Sequence, residues 1–383
     1  MGITFSSLRC LRRRAQELAP VRSTSTPAVS LPNDIIFDIL SRVPLKSLCR
    51  FRCVSRGWRA LICDPIFIAA QKSRPAEPLL VVGSSSDLCL RLVNMDGGVV
   101  RVIPHEAWSW TPVCASPVDD VLCVTSYSTG FPVAGMIDVT TKKVLVTRLD
   151  LHKAWGCGRA VPSGAYKVVR FGFRLCEVFT AGDGDGWRLR ESFPFRTYHY
   201  NRVHYTPAVN GTLHFLAVAL PDVAGSVLRF NLEREEWMSR IKGPPNVRLG
   251  RPEISLSELN GSLCMVVPKF HSNGYGYTNV WLLSDSVKST WVKAYKILLD
   301  PSTYYQMMPL RVLKDGTKLL LRYNKYGGAP VLQIYDHKDR TCTDAMEKLL
   351  GDHVSGIGFC SLHLEGFISP PKNQHPEYSV RYI

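Results

Sequence analysis

The residue types that most often carry catalysis are present in this chain, but their spacing forms no recognised catalytic motif. There is no Gly-x-Ser-x-Gly nucleophile elbow, no phosphate-binding Gly-Lys-Ser/Thr loop and no dinucleotide-binding Gly-x-Gly-x-x-Gly. His199, His204 and His214 lie among aromatic residues, an arrangement that suits a polar pocket or, more often, ordinary core and loop positions. We therefore predict a non-catalytic protein without a cofactor.

The spacing of metal-ligating residues is equally uninformative. The twelve cysteines include no Cys-x-x-Cys pair, and no histidine lies near Cys49, Cys53 or Cys63. The run Asp183-Gly184-Asp185-Gly186 resembles the start of a calcium loop, but Pro194 occupies the position of the twelfth-residue glutamate. We predict no metal site, and a turn before the next strand.

The composition favours an ordered protein of the cytoplasm or nucleus. Of the 383 residues, 45% are hydrophobic, and no apolar run is long enough for a membrane span. Several cysteines lie inside apolar runs without a framework spacing, which is typical of reduced, buried thiols. We therefore expect no membrane partner.

The excess positive charge of +15 does not identify a nucleic-acid-binding surface, because the basic residues are dispersed between strands. Residues 1–30 carry five arginines against one acid, Glu17, among many Ser and Thr. That composition predicts a disordered basic tail, although an organelle transit peptide remains an alternative. This pattern does not predict nucleic acid as a partner.

Residues 31–72 predict a small helical unit of three short helices. Pro32 suits a first helical turn, Pro44 restarts the apolar pattern, and Ser55 is a suitable cap for the third helix. A unit of about forty residues rarely obtains more than ~3–5 kcal/mol from its own core. Its surplus of apolar residues therefore predicts a protein partner.

This segment resembles the F-box. The shared motifs are Leu31-Pro32-x-Asp34, Ile39-Leu40-x-Arg42-x-Pro44-x-Lys46-Ser47-Leu48, Arg50-Phe51-Arg52-x-Val54-Ser55 and Trp58-x-x-Leu61-Ile62. The resemblance implies docking on a Skp-type adaptor and, through it, on the cullin and RING subunits of a ubiquitin ligase. The residues expected to face the adaptor are Leu31, Pro32, Ile35, Ile36, Ile39, Leu40, Pro44, Leu45, Leu48, Val54 and Trp58.

After a linker at 73–78, residues 79–383 show an all-β pattern with internal repeats. Asn210-Gly211 and Asn260-Gly261 sit between short apolar runs, as Asp315-Gly316 does, and such pairs favour tight antiparallel hairpins. Each hairpin is followed by a second apolar strand, at intervals near fifty residues. This period is typical of propeller sheets, and the length of the region predicts six blades.

The β region also resembles the kelch-like F-box-associated domains of plant F-box proteins, notably at 166–171 and at 227–231 with Trp237. A twisted β-sandwich is the alternative fold. We expect the strand at 79–82 to pair with a C-terminal strand, because this closure would bury two open edges.

These resemblances imply a substrate-recognition subunit of a Skp–cullin–F-box ubiquitin ligase whose β domain captures a protein substrate. The candidate substrate-binding residues are Phe270, Tyr275, Tyr277, Tyr304, Tyr305, Arg322 and Tyr326, because Tyr and Arg commonly anchor interfaces. Two alternatives remain open at this point. One is an enzyme that uses the propeller as a scaffold, and the other is an F-box protein that binds without promoting degradation.

Overall fold

The computed structural model divides the chain into two compact units, Met1–Arg74 and Pro75–Ile383. The residues that the structure describes are 31–41, 43, 45–64, 66–67, 78–84, 89–104, 111–115, 121–126, 133–138, 144–148, 154–172, 175–183, 186–190, 206–217, 226–247, 253–270, 276–299, 304–313, 316–325, 330–345, 357–364 and 380–382.

The described part of the first unit contains three short helices, α1 (Asn33–Ser41), α2 (Leu45–Phe51) and α3 (Arg56–Ile62). The carbonyl oxygen of Pro32 accepts the first backbone hydrogen bonds of α1, from the N–H groups of Ile35 and Ile36. Ser55 has extended backbone angles, and its Oγ accepts a hydrogen bond of 3.1 Å from Trp58 N. The predicted cap of the third helix is therefore confirmed.

The core of the helical unit is small. Leu40, Leu48, Ile62 and Phe67 are its fully buried members. Edge-to-face ring contacts extend this core, with 5.2 Å between the centroids of Phe37 and Phe67 and 5.5 Å between those of Phe51 and Trp58. Four buried side chains, counted among the described residues of this unit, supply little stability, and apolar groups outside this cluster are exposed.

The second unit is built entirely of strands within its described residues. They are β1 Pro78–Ser84, β2 Cys89–Val93, β3 Val99–Pro104, β4 Thr111–Ala115, β5 Val121–Ser126, β6 Val133–Asp138, β7 Val144–Arg148, β8 Ala154–Arg159, β9 Tyr166–Gly172, β10 Leu175–Thr180, β11 Trp187–Arg190, β12 Ala208–Val209, β13 Thr212–Leu216, β14 Ser226–Asn231, β15 Glu236–Lys242, β16 Ser255–Leu259, β17 Ser262–Phe270, β18 Gly276–Asp285, β19 Thr290–Leu299, β20 Tyr304–Val312, β21 Lys318–Lys325, β22 Val331–Asp336, β23 Thr341–Asp344, β24 Ile357–Leu364 and β25 Val380–Tyr382.

These strands form six sheets, which we number I to VI along the chain. Sheet I has the order β24-β1-β2-β3, and sheet II has the order β25-β7-β6-β5-β4. Sheets III, IV, V and VI consist of β8–β11, β12–β15, β16–β19 and β20–β23, each in sequence order. All pairings are antiparallel except that of β25 with β7. The all-β prediction is confirmed.

Six apolar clusters join the sheets in cyclic order. One cluster joins sheets I and II, and the next four join II with III, III with IV, IV with V, and V with VI. The sixth returns from sheet VI to sheet I and contains Leu80, Val82 and Leu320. Each sheet thus buries both of its faces against neighbours, which is the packing of a propeller and not of a two-layer sandwich.

Sheet I is completed by the two ends of the β unit. Strand β1 pairs with β24 from Pro78↔Leu364 to Ser84↔Ile357, as we expected for the strand at 79–82. The side chains of β1 alternate between the two adjoining clusters, with Val81 in one and Leu80 in the other. The pairing therefore holds together the first and last parts of the unit.

Two-residue turns connect the predicted hairpins of sheets IV and V. Asn210 and Gly211 have φ angles of 48° and 71°, and Asn260 and Gly261 have φ angles of 50° and 83°. Positive φ at both central residues defines the type I′ turn that Asn-Gly pairs favour, so these two predictions are confirmed.

Because the strands run antiparallel in sequence order, the connections of each sheet alternate between two edges of the unit. One edge carries short turns, such as 210–211, 232–235, 260–261 and 286–289. We call it the turn edge. The other, which we call the loop edge, carries longer connections, among them 191–207, 217–225 and 243–254. Strand β1 begins at the turn edge.

We expect the aromatic contact between sheets III and IV to be a major source of stability. Phe171 is fully buried, with its ring centroid 4.6 Å from that of Phe215 and 4.9 Å from that of Trp237. Phe171→Ala should lower the free energy of unfolding by about 3–5 kcal/mol, measured by urea denaturation. Leu189→Ala, at an exposed position of sheet III, is the control and should change it by less than about 0.5 kcal/mol.

Candidate protein-interaction surfaces

Part of the predicted docking face of the helical unit is exposed. Leu31, Ile35 and Ile39 follow one another at four-residue intervals and are 51%, 46% and 49% exposed. Pro32 is exposed beside them, and Val54, after α2, is 61% exposed. Residues four apart lie on one side of a helix, so Ile35 and Ile39 share one side of α1, and Leu31 precedes that helix by two residues. We call these three exposed apolar residues the exposed stripe. A stripe of this kind suits burial against another protein.

Other residues predicted to face the adaptor lie elsewhere. Leu40 and Leu48 are only 1% exposed and belong to the core, so they hold the helices together and are not part of the surface. Ile36 and Trp58 are half-buried and pack against the same core. This corrects the prediction, since the opposite side of α1 is covered by α2, α3 and Phe67.

Two further members of the predicted docking set lie at the start of α2 or just before it. Leu45 begins α2, and Pro44 lies outside the described residues.

The predicted substrate-binding residues of the β unit are concentrated on sheets V and VI. Phe270 ends β17, and Tyr304 and Tyr305 begin β20, which places all three at the loop edge. Tyr277 lies one residue into β18 and is half-buried. The strand ends thus bring four of the candidates to the same edge of neighbouring sheets.

The remaining candidates are not placed at that edge. Arg322 is only 9% exposed and lies within β21, between Met308 and Leu332 of the adjacent strands, so it does not belong to an exposed capture surface. It is buried because sheet VI packs against neighbours on both faces. Tyr275 and Tyr326 lie outside the described residues.

A buried ionic network links sheets III and IV. Glu235, 9% exposed and with a φ of 58°, accepts a 2.7 Å contact from Lys167 Nζ and a 2.9 Å hydrogen bond from Arg188 Nη2. Arg190 Nε contacts its other oxygen, and Lys167 Nζ also donates to Leu232 O at 2.7 Å. Burial raises the pKa of Glu235, but these cations outweigh it and hold that pKa below its ordinary value.

His214 is a buried residue of sheet IV. It lies on β13 opposite Arg229 of β14, and its Nδ1 has no hydrogen-bond partner. Burial lowers the pKa of His214 to about 4, and the charge of Arg229 contributes to the shift. Arg229 itself donates two hydrogen bonds of 2.7 Å to Ser239, from Nε to the carbonyl oxygen and from Nη2 to Oγ. His214 is therefore a neutral core residue at pH 7. His199 and His204 lie outside the described residues.

Two buried cysteines and the calcium-like loop also occupy positions that serve the fold. Burial raises the pKa of Cys176 to about 12 and also raises that of Cys264, so both thiols stay protonated at neutral pH. Asp183 pairs with Arg188 over 3.3 Å in the connection between β10 and β11, where Gly182 has a φ of 88°. The predicted turn before Trp187 is confirmed.

The described ranges contain neither a metal-binding cluster nor a membrane-spanning helix. No cluster of three or more His, Cys, Asp or Glu residues there could hold a metal ion. Likewise, none of the described helices has both the length and the apolar character needed to cross a bilayer.

Comparison with known proteins identifies both units. Residues 29–69 match the family model of the F-box domain, and residues 162–348 match the F-box associated beta propeller domain. The F-box protein CPR1 of Arabidopsis thaliana is 24% identical over 337 residues, covering 77% of this chain and 80% of the relative. The F-box protein At3g07870 of Arabidopsis thaliana is 25% identical over 310 residues, covering 70% of this chain and 72% of the relative.

A further relative is more similar in sequence over a short segment, and a solved structure of low sequence identity also aligns. The F-box protein At1g31080 of Arabidopsis thaliana is 44% identical over 61 residues, which are 16% of this chain and 17% of that protein. Kluyveromyces lactis Hsv2 aligns with a TM-score of 0.39 at 13% identity, covering 68% of this chain and 71% of its own, and no conclusion rests on that likeness.

The chain thus combines a small helical docking domain with an all-β propeller. Its first unit matches the F-box domain and its second unit matches the F-box associated beta propeller domain, and the relatives named above are F-box proteins of a plant.

Sequence reasoning did not find the network around Glu235. Its partners Lys167, Arg188 and Arg190 lie 45 or more positions earlier in the chain, and only the packing of sheet III on sheet IV brings them together. The sequence contains only one local sign of this network, the turn from Asn231 to Glu235. A turn of this kind does not indicate which cations the glutamate will contact.

We expect His214 to make stability depend on pH between 6.5 and 4. In that range the unfolded state binds a proton at this imidazole and the folded state does not, so stability falls as the pH falls and levels off below about 4. The loss should reach up to about 3 kcal/mol. Urea denaturation at stepped pH should show a shallower slope for His214→Gln, and an unchanged slope would contradict the assignment.

Glu235 should act at lower pH. Its lowered pKa means that its stabilising effect is complete above the unfolded value of 4.5 and is lost as the pH falls through the folded value. At pH 7, Glu235→Gln should cost about 2–4 kcal/mol, because three cations lose a buried partner. The difference in melting temperature between wild type and variant should shrink below pH 4.5. Asp183→Asn, which removes a half-exposed partner of Arg188, is the control and should cost less than about 1 kcal/mol.

Proposed function

We propose that this chain is a substrate-recognition subunit of a Skp–cullin–F-box ubiquitin ligase. In this proposal the helical unit docks on a Skp-type adaptor, and through it on cullin and RING subunits, while the β unit holds a protein substrate. The carrying observation is the exposed stripe of Leu31, Ile35 and Ile39 on a unit in which four side chains are fully buried among the described residues. The match of residues 29–69 to the F-box domain supports the same partner.

The energetics of such docking are favourable. Fully burying a large aliphatic side chain contributes about 1.5–3 kcal/mol, so the three residues of the stripe could supply several kcal/mol toward association. Val54 and Pro32 would extend the contact. Leu40 and Leu48 contribute indirectly, because they fix the helix that presents the stripe.

The chain's contribution to ubiquitin transfer would be proximity and not side-chain chemistry. Joining an adaptor-binding unit to a substrate-binding unit raises the effective concentration of substrate lysines near the charged enzyme, often to the millimolar range. The protonated state of Cys176 and Cys264 and the neutral, buried His214 support a non-catalytic role for these residues.

For the β unit we propose that the six sheets are six blades and that the loop edge contributes to substrate capture. The cyclic series of apolar clusters supports the first point. The longer connections at the loop edge and the placement there of Phe270, Tyr277, Tyr304 and Tyr305 support the second. We also propose a cytoplasmic or nuclear location, which the partners of a ubiquitin ligase require.

Adaptor binding should depend on the exposed stripe. Ile35→Lys combined with Ile39→Lys should weaken binding of the full-length protein to a recombinant Skp-type adaptor by about 100-fold or more, measured by calorimetry, because two apolar contacts are replaced by charges. Both residues are about half exposed, so the helical unit should still fold.

The matched control is Val287→Lys, the same kind of change at a 90% exposed position of the β unit, and it should leave adaptor affinity unchanged. Full affinity in a folded Ile35→Lys/Ile39→Lys protein would refute the docking face. A wild-type protein that is folded but captures no adaptor would refute the ligase role itself.

A further inference from the structure

Three lysines share one side of sheet V. The strand register pairs Lys269 with Tyr277, Lys293 with Trp281 and Lys296 with Asn279, and paired residues project from the same face of a sheet. Trp281 packs against the cluster that joins sheets IV and V, so this is the face turned toward sheet IV. We call Lys269, Lys293 and Lys296 the basic strip. All three are exposed.

Aromatic rings hold two of these ammonium groups. Lys296 Nζ lies 4.1 Å from the centroid of Tyr277, and Lys293 Nζ lies 5.8 Å from that of Trp281. Such cation–π contacts attract the ammonium group to the face of the ring and restrict the side chain. None of the ion pairs among the described residues involves the basic strip. Its positive charge is therefore positioned but not neutralised there.

Strand β19 offers an open backbone edge beside this strip. It is the outermost strand of sheet V and has ten residues, whereas β3, β7, β11, β15 and β23 have four to seven. Val292 and Leu298 on it are 55% and 73% exposed. A long outer strand with exposed apolar residues can accept another strand by backbone pairing.

The same domain already shows an outer strand that accepts an extended segment. Residues Val380–Tyr382 form β25, which pairs in parallel with Val144–Val146 at the outer edge of sheet II. That segment adds a fifth strand to a four-stranded sheet. The equivalent position next to β19 carries no strand among the described residues.

Lysines on an edge strand usually prevent unwanted pairing with other strands. Here their positive charge would also favour a pairing strand of negative charge. A strand with basic residues opposite Lys293 and Lys296 would be repelled, while a strand with acidic residues would gain cross-strand ion pairs. The edge is thus closed to another copy of β19 and open to an acidic segment.

We propose that the outer edge of β19 binds an extended, acidic segment of a protein partner as a fifth strand of sheet V. Its carboxylates lie opposite Lys293 and Lys296, and an apolar side chain lies beside Leu298. This inference rests on the proposed function, in which the partner is the captured substrate. The backbone edge favours a peptide over a nucleic acid, which has no ladder of N–H and C=O groups to pair with a strand.

The test selects a display library of random twelve-residue peptides on full-length protein, with parallel selection on the double variant Lys293→Glu/Lys296→Glu. Wild type should enrich peptides with alternating acidic residues. Synthetic versions measured by fluorescence anisotropy should bind the double variant about tenfold more weakly. Lys288→Glu, an exposed lysine in the adjoining turn, should leave the affinity unchanged.

Two further probes separate strand pairing from simple charge attraction. The selected peptide with alternate backbone nitrogens methylated cannot complete the ladder and should lose about tenfold or more in affinity. Equal binding by the methylated peptide, enrichment of neutral or basic peptides, or tighter binding of a dT15 oligonucleotide would each overturn the proposal. Adaptor affinity, measured on the same double variant, should equal that of wild type, so this result is independent of the adaptor-docking test.

Discussion

The β unit depends on apolar packing between sheets that is continued all the way round and then completed by backbone hydrogen bonds. Each sheet buries one face in one cluster and the other face in the next, so no sheet has a stable environment without both neighbours. The backbone hydrogen bonds between β1 and β24 join the first and last strands of the ring, which would otherwise be its two open ends. The turn edge and the loop edge arise separately, because antiparallel strands in sequence order place successive connections at opposite edges of the unit.

The same packing explains how charge is distributed over the unit. Ionic groups between sheets are tolerated only where they are mutually satisfied, as around Glu235, whose carboxylate faces three cations at the junction of sheets III and IV. The lysines on the outer strand of sheet V have no such ionic partners in the described part of the chain, and they contact solvent and aromatic rings instead. The interior network joins two sheets, and the outer lysines are exposed to solvent.

Features encoded by neighbouring residues could be predicted from the sequence. The Asn210-Gly211 and Asn260-Gly261 turns, the Ser55 cap and the alternation of β strands are local, and the structure contains them. The orientation of apolar side chains was harder to predict. Leu40 and Ile39 are adjacent and equally apolar, but only the packing of α1 against Phe67 and its neighbours decides which one is exposed. Arg322 was misplaced for a related reason, since a strand buried on both faces can hold a long polar residue between its neighbours.

The pairing of β1 with β24 also has a consequence for synthesis of the chain. Its two strands are separated by more than 270 positions, so the sheet cannot be completed until almost the whole chain has left the ribosome. The contacts that hold α1, α2 and α3 together all lie within residues 33–67 and can form early. A transcript with a premature stop before residue 357 would therefore encode the exposed stripe without a closed β unit.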